Sequence, residues 1–314
     1  MLAPSGVPGT AWFASTYIRP EETLMPCLRA SAIALAAISF AVLPLAARAD
    51  ADWQKTYSIS GKPSLVFSTG DTSAEVRSCG DCREIRIRVQ WNERRASDYN
   101  LSEFQSGNTV NFQLHEKPGL GFHMQFGNHR GPHVTFETPA ALDLEARTGD
   151  GSLSVNGVGG DLQLRTSDGS LDVSDVTGAL RITASDGSIH VRNASGTLES
   201  HSSDGSVHID GRFTGVNVRI SDGSLELDLN QGSQLATASS VEASDGRVAI
   251  RVPKDLAADL DIHTGDGHIS CDLPLVMNGY NSRGGGHQVR GRLNAGGPSL
   301  TIHTQDGNVT ITSL

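Results

Sequence analysis

The chain has 314 residues, a formal net charge of −10, 35 glycines, four cysteines and only 5% aromatic residues. Nucleic-acid binding rests on basic surface, so this balance argues against it, and against anchoring to an acidic membrane surface through basic patches. Gly-rich, aromatic-poor composition suits a stacked β protein rather than a helical one.

Residues 1–24 have no evident role, and the start is Met1 or Met25. Met25-Pro-Cys-Leu-Arg29 is a short basic opening, Ala30 to Ala46 is apolar and uncharged, and Ala47-Arg48-Ala49 is a small-x-small cleavage site. Residues 25–49 therefore read as a secretory signal peptide. The alternative, a membrane anchor, is marginal at about 17 residues. Cleavage after Ala49 removes Arg19, Arg29, Arg48, Glu21 and Glu22, so the mature charge is 22 − 33 = −11. The expected location is the periplasm, the outer cell surface or the medium, with no transmembrane segment in the mature chain.

Residues 50–139 are β-rich but irregular. Ser64-Leu-Val-Phe67, Ile85 to Gln90 and Val110 to Leu114 alternate as strands, and Gly107-Asn108 and Pro118-Gly119 mark turns. This region is expected to pair with or cap the repeats, which occupy 140–314.

The repeats return five times to one phrase, with aspartate and glycine at Asp150-Gly151, Asp168-Gly169, Asp186-Gly187, Asp204-Gly205 and Asp222-Gly223, a period of 18 residues. Looser copies stand at Asp245, Asp266 and Asp306. Around each phrase apolar and polar residues alternate, as in Leu162, Leu164, Thr166 and then Leu171, Val173, so each repeat is strand, Asp-Gly turn, strand, Gly turn. The apolar columns stay in register at i+18: Leu162, Leu180, Leu198, Val216 and Leu171, Ile189, Val207, Leu225. The fold class is all-β. A β-solenoid or β-roll of 18-residue coils is favoured because stacking demands equal coil lengths; an antiparallel meander of Asp-Gly hairpins is the alternative. Gln231 to Ser240 reads as a polar insert, Pro253 as an edge or corner, Asn278 to Arg290 as a loop, and Leu300 to Ile311 as a last coil.

The Ser-Asp-Gly-Ser phrases, Val252-Pro253 with Thr264-Gly-Asp-Gly267, and the ending Leu293-Asn-Ala-Gly-Gly297 with Leu300 to Ile311 resemble the bacterial putative adhesin family of β-strand repeats, similar to its head-GIN type. That family writes Ser-Gly-Asp where this chain writes Ser-Asp-Gly. The resemblance implies a stacked all-β fold and an envelope role, and supplies no catalytic residues.

Three sets of residues carry candidate chemistry. Stacked coils would place Asp168, Asp186, Asp204 and Asp222 about 4.8 Å apart. Either they hold a Ca²⁺ ladder, although calcium wants six to eight oxygens, or each carboxylate caps its own turn. Cys79-Gly-Asp-Cys82 is a C-x-x-C, and in an exported chain a local disulfide is the simpler reading than a redox or zinc site; Cys271 alternates with Ile269 and Leu273 as a buried thiol. His115, His123, His129 and His133 either converge on a metal or are scattered loop histidines, while His190 and His208 form a solvated face. No nucleophile elbow, phosphate loop or His-Glu-x-x-His occurs.

The sequence thus predicts no catalytic, cofactor-binding or metal residues and no enzyme. It predicts an exported structural or interaction module of the envelope, adhesin-like, partnered by an envelope protein, a glycan or itself. The alternatives are a carbohydrate-active enzyme on a β-helix and a Ca²⁺-stabilised secreted β-roll. N-terminal sequencing of the exported protein is expected to begin at Asp50; retention of residues 25–49 would contradict the signal peptide.

Overall fold

The computed structural model describes residues 51–92, 94–118, 131–283 and 286–314. The signal peptide at 25–49, residues 1–24, Gly119, His123 and His129 lie outside the described residues.

The elements run β1 (Trp53–Ser58), β2 (Ser64–Thr69), β3 (Ser73–Ser78), β4 (Glu84–Gln90), a single 3₁₀ turn (Ala96–Asp98), β5 (Tyr99–Ser106), β6 (Thr109–Glu116) and β7 (His133–Thr138). Then come β8 (Asp143–Thr148), β9 (Leu153–Asn156), β10 (Gly159–Thr166), β11 (Leu171–Ser174), β12 (Thr177–Ala184), β13 (Ile189–Ser202), β14 (Ser206–Ile220), β15 (Ser224–Leu229) and β16 (Ser239–Val252). The chain closes with β17 (Ala258–Thr264), β18 (Ile269–Asp272), β19 (Leu275–Arg283), β20 (Gly286–Leu293) and β21 (Ser299–Ser313).

Pairing in the repeats is parallel and one period apart. Leu162 faces Leu180, Leu180 faces Leu198, and Leu171 faces Ile189. A hairpin meander would give antiparallel pairs at each Asp-Gly, so the fold is the solenoid. Each coil lays one strand on a first face and one on a second. On the first face the order is β5, β6, β2, β8, β10, β12, then the later halves of β13 and β14, the earlier halves of β16 and β21, and finally β17, β20 and β19. On the second it is β1, β4, β7, β3, β9, β11, β13, β14, β15, β16, β21 and β18.

Alternation sends every second side chain between the faces. There Leu144, Leu162, Leu180, Leu198 and Val216 from one face meet Leu153, Leu171, Ile189, Val207 and Leu225 from the other in one continuous core. At the amino-terminal end the small aliphatics give way to rings: Phe67 stacks on Phe136 at 4.4 Å, and Phe112 meets Phe136 edge-on at 5.4 Å.

The turns set the pitch. A Cβ built on Gly169, Gly187, Gly205, Gly223 or Gly246 would sit less than 3 Å from the carbonyl oxygen of the equivalent glycine one coil before, and one on Gly151 would strike Thr72 O. Only hydrogen fits between turns stacked this closely. A second ladder, Gly160, Gly178 and Gly196, does the same at the opposite corner, each with positive φ. Buried hydroxyls satisfy the turn carbonyls from inside: Thr166 Oγ1 donates to Gly169 O at 3.1 Å and Thr304 Oγ1 to Gly307 O at 3.1 Å.

Coil order departs from chain order at both ends. The segment β2–β3 stacks between β6–β7 and β8–β9, and β21 inserts between β16 and the β17–β18 coil. The stretch expected to be the last coil is therefore second from the end. The chain leaves the stack at Pro253, which has no N–H to donate to a ladder, and the vacated place is taken by β21. The loop expected at Asn278 to Arg290 is largely strand, because β19 and β20 pair antiparallel there. The insert at 231–240 lengthens one coil, so that Asn217 faces Ser240, 23 residues on, rather than 18; its Leu235 is buried.

Antiparallel strands close the stack. β1 pairs β4 and β5 pairs β6 at one end, and β20 pairs β17 at the other. Across the first end, Tyr57 donates to Glu103, and Lys55 Nζ lies 2.5 Å from the same carboxylate, tying β1 to β5. Cys271 corrects the expectation of a buried thiol: β18 is the outermost strand of its face, and the side chain is only half-buried, with burial pushing the thiol up.

Gly187→Ala is expected to cost about 1–3 kcal/mol through overpacking against Gly169, lowering Tm by several degrees. Ser185→Ala, at an exposed position of the same turn, is expected to stay within about 0.5 kcal/mol. Calorimetry of the two variants checks this.

Candidate functional site

The Asp-Gly turns come first because the sequence singled them out. They form one column: Asp245 and Asp306 are direct strand partners. The turn aspartates' own N–H groups bind each coil to the one before it. Asp186 N–H donates to Ser167 O at 3.1 Å, Asp204 to Ser185 O at 2.9 Å, Asp222 to Ser203 O at 2.8 Å and Asp245 to Ser221 O at 2.9 Å. Desolvation by the neighbouring turns and the negative charges of Asp222 and Asp306 push the exposed Asp245 carboxyl above its ordinary value. Among the described residues, no three His, Cys, Asp or Glu side chains are grouped so as to hold a metal ion.

The histidines divide. His115 lies on β6 of the first face and His133 at the start of β7 on the second. His190 and His208 are partners on adjacent coils, and His208 Nδ1 is 3.1 Å from Glu226. His263 and His303, which the sequence reading did not single out, stack at 5.2 Å on neighbouring coils of the first face.

Cys79 and Cys82 are disulfide-linked with their Cα atoms 5.9 Å apart. The linked turn is pinned to the end of β7 by Cys79 N–H donating to Thr138 O at 2.8 Å, and Ala140 N–H donates back to Gly80 O at 3.0 Å. The disulfide therefore fixes where β3 ends and β4 begins.

Beside it lies a polar hollow of about 320 Å³, on the outer side of β1, β4, β7 and β3. Its geometry follows from side-chain length. Alternation turns Thr135 outward while Val134 and Phe136 fill the core. Across the strands Thr135 is flanked by Arg88 and Glu75, with Gln54 beyond Arg88; His133 and Glu137 flank it along its own strand. A short residue ringed by long ones leaves a depression, and Thr135 is only 9% exposed at its floor.

Charge in the hollow is ordered. Glu137 accepts from Arg77 and from Arg86, the latter at 2.6 Å. Hydrogen bonds from Arg77 foremost, opposed by burial and helped by Arg86, hold its carboxyl below the ordinary range. His133 Nε2 is 3.5 Å from Glu75. Arg88 Nη2 donates to the Gln54 amide oxygen at 3.4 Å. None of Arg77, Arg86, Arg88, Glu75 or Glu137 was legible as a site: their alternation marked strands, but the pairing that gathers them spans 34 to 60 residues of chain.

Among the described residues no helix is long and apolar enough to cross a membrane. Residues 64–312 match the family model described as Toastrack DUF4097. No curated protein matches the chain. Similar solved structures include a "putative cell adhesion protein" from Clostridium sporogenes (10% identity, 84% of this chain and 100% of that one, TM-score 0.27). A "putative adhesin" from Bacteroides fragilis is 9% identical over 84% of this chain and 97% of that one, with a TM-score of 0.34. A "putative lipid binding protein" from Parabacteroides distasonis is 12% identical over 83% and 96%, with a TM-score of 0.39.

The raised Asp245 carboxyl gives a signed prediction. A folded-state value above the unfolded one disfavours the ionised form, so the penalty operates above the folded value and disappears as pH falls below the unfolded value. Asp245→Asn is expected to raise Tm at pH 7 and to lose that gain in acid, with EDTA changing neither result. A Tm that falls on substitution and falls again with chelator would instead mean that the column holds a cation.

Proposed function

We propose the following for this chain, which belongs to the Toastrack DUF4097 family: it acts as an exported, non-enzymatic interaction module of the bacterial cell envelope. The observation that carries this reading is the pair of outer faces. Each is a set of polar rows running the length of a stack whose backbone is held at constant pitch by its glycine ladders.

Successive residues in these rows neutralise one another. Arg181 lies 2.8 Å from Glu199, Arg219 2.8 Å from Glu242, and Arg251 2.5 Å from Asp228. The first two are exposed and contribute about 0–1 kcal/mol each to stability, whereas Asp228 is largely buried beneath Arg251. Their larger effect is to order long side chains on a rigid lattice, which lowers the entropy cost of contact with a protein or glycan partner. Export rests on the signal peptide read at 25–49 and fits a disulfide at Cys79 and Cys82.

One observation favours the carbohydrate-active alternative: the hollow gathers acidic and basic side chains in one place. Against it, Glu137 is clamped by two guanidiniums and held ionised, the wrong state for a general acid.

In-cell crosslinking of the tagged protein, followed by fractionation and mass spectrometry, tests the proposal. Reproducible capture of one envelope protein or wall glycan is expected. Recovery of free protein with no captured partner, together with turnover of a polysaccharide in an activity screen, would replace the interaction reading with the enzymatic one.

A further inference from the structure

We propose that the hollow over Thr135 is a binding site for a small hydroxylated carboxylic acid, of the sugar-acid class. This goes beyond the interaction reading of the outer faces and stands on the hollow alone.

The argument begins with charge. The chain carries a net −10, yet this hollow is lined by three guanidiniums, Arg77, Arg86 and Arg88, against two carboxylates, Glu75 and Glu137. Arg77 and Arg86 are both engaged by Glu137, and Arg86 also by Glu84 at the rim, while Glu75 lies 3.5 Å from His133. The third guanidinium faces a neutral group. Arg88 meets the Gln54 amide oxygen at 3.4 Å, which leaves its charge uncompensated by that partner and most of its five N–H donors uncommitted to it. Within an acidic molecule, the Arg88 guanidinium is the group of the hollow that can take up a further negative charge.

Geometry narrows the class. A guanidinium presents paired donors in one plane, which match the two oxygens of a carboxylate in a bidentate pair. Gln54, Gln90, His133 and Thr135 surround that position with amide, imidazole and hydroxyl groups able both to donate and to accept, the pattern that hydroxyl groups need. The lining has no Leu, Ile, Val, Met, Phe, Tyr or Trp, so an apolar ligand would find little to bury against. A volume of about 320 Å³ lies at the small end of ligand sites and suits a single ring.

The scaffold beneath is stiff. Val134 and Phe136 on either side of Thr135 are fully buried, Phe136 stacks on Phe67, and the Cys79–Cys82 link borders the Arg86 and Glu137 end. The arginines are therefore set on strands, not loops, and little ordering remains to be done on binding.

The test titrates the mature chain with D-glucuronate, D-glucose and inorganic phosphate, read by isothermal calorimetry and by NMR shifts. Saturable glucuronate binding is expected, weakened at least about tenfold by Arg88→Gln, which removes a charge-assisted bidentate pair. Thr135→Gln, which fills the floor, is expected to abolish it. Arg181→Gln removes an arginine of similar exposure on the first face and is expected to leave it unchanged. Unaltered thermal unfolding of Arg88→Gln separates loss of binding from loss of fold, and if that variant unfolds, Thr135→Gln and Thr135→Ser carry the comparison. Absence of saturation, equal binding of glucose, tighter binding of phosphate, or indifference to both Arg88→Gln and Thr135→Gln would overturn the proposal. Capture of an envelope partner in the crosslinking experiment is independent of all these outcomes, so the two readings fail separately.

Discussion

The close approach of one Asp-Gly turn to the next governs this molecule. A parallel solenoid forms its hydrogen bonds between coils, so every coil must rise by the same strand spacing at its corners as along its faces. At a corner the chain turns sharply and a side chain on the inner position would point into the coil before it. Glycine at 169, 187, 205, 223 and 246 removes that obstacle, and each of these positions lies against the carbonyl of its predecessor. Once the corners stack, the aliphatic columns fall into line, and alternation delivers Leu, Val and Ile to the interior and polar residues to both outer faces. The core is the consequence of the pitch as much as its cause.

A stack with constant pitch has two ends, and each exposes unpaired strand edges. This chain adds antiparallel strands to both faces at the amino-terminal end and to the first face at the other, where β18 remains the outermost strand of the second face. The β2–β3 coil is enclosed by the later β6–β7, and the final strand β21 is enclosed by the earlier β17–β18. The β2–β3 coil and β21 cannot fray as an outermost coil would, since each is hydrogen-bonded on both sides. The aromatic cluster of Phe67, Phe112 and Phe136 sits at the end where the faces must be sealed by strands of unequal length. Large rings fill irregular space that the regular columns of the middle do not have.

The same irregularity creates the hollow. In the middle of the stack each outward position recurs in every coil at the same spacing, so side chains come in regular rows even where their identities change, as from Arg181 to Glu199. At the amino-terminal end the rows are assembled from four non-equivalent strands, β1, β4, β7 and β3, and a threonine is set among arginine, glutamate and glutamine. A depression with its own charge arises where the repeat is broken, which is where a binding site distinct from a uniform surface can form.

Much of this was legible in the sequence. The 18-residue recurrence of Ser-Asp-Gly-Ser and the in-register columns headed by Leu162 and Leu171 determined the strands and turns and favoured the stack over a meander, because equal spacing and period-two alternation are local properties of the chain; the parallel pairing itself decided between the two. They also marked Pro253 and the insert at 231–240 as breaks. What the sequence could not decide was neighbourhood beyond one period. Nothing local states that Leu300 lies beside Ser239, or that Ser64 pairs with both Thr109 and Asp143. Nor does it state that Arg77, Arg86 and Glu137 meet. Strand edges carry no address in their own residues; a parallel partner is chosen by whichever edge the rest of the fold leaves open. The repeat was written in the chain, while the order of coils, the closure of the ends and the hollow were settled only when distant edges met.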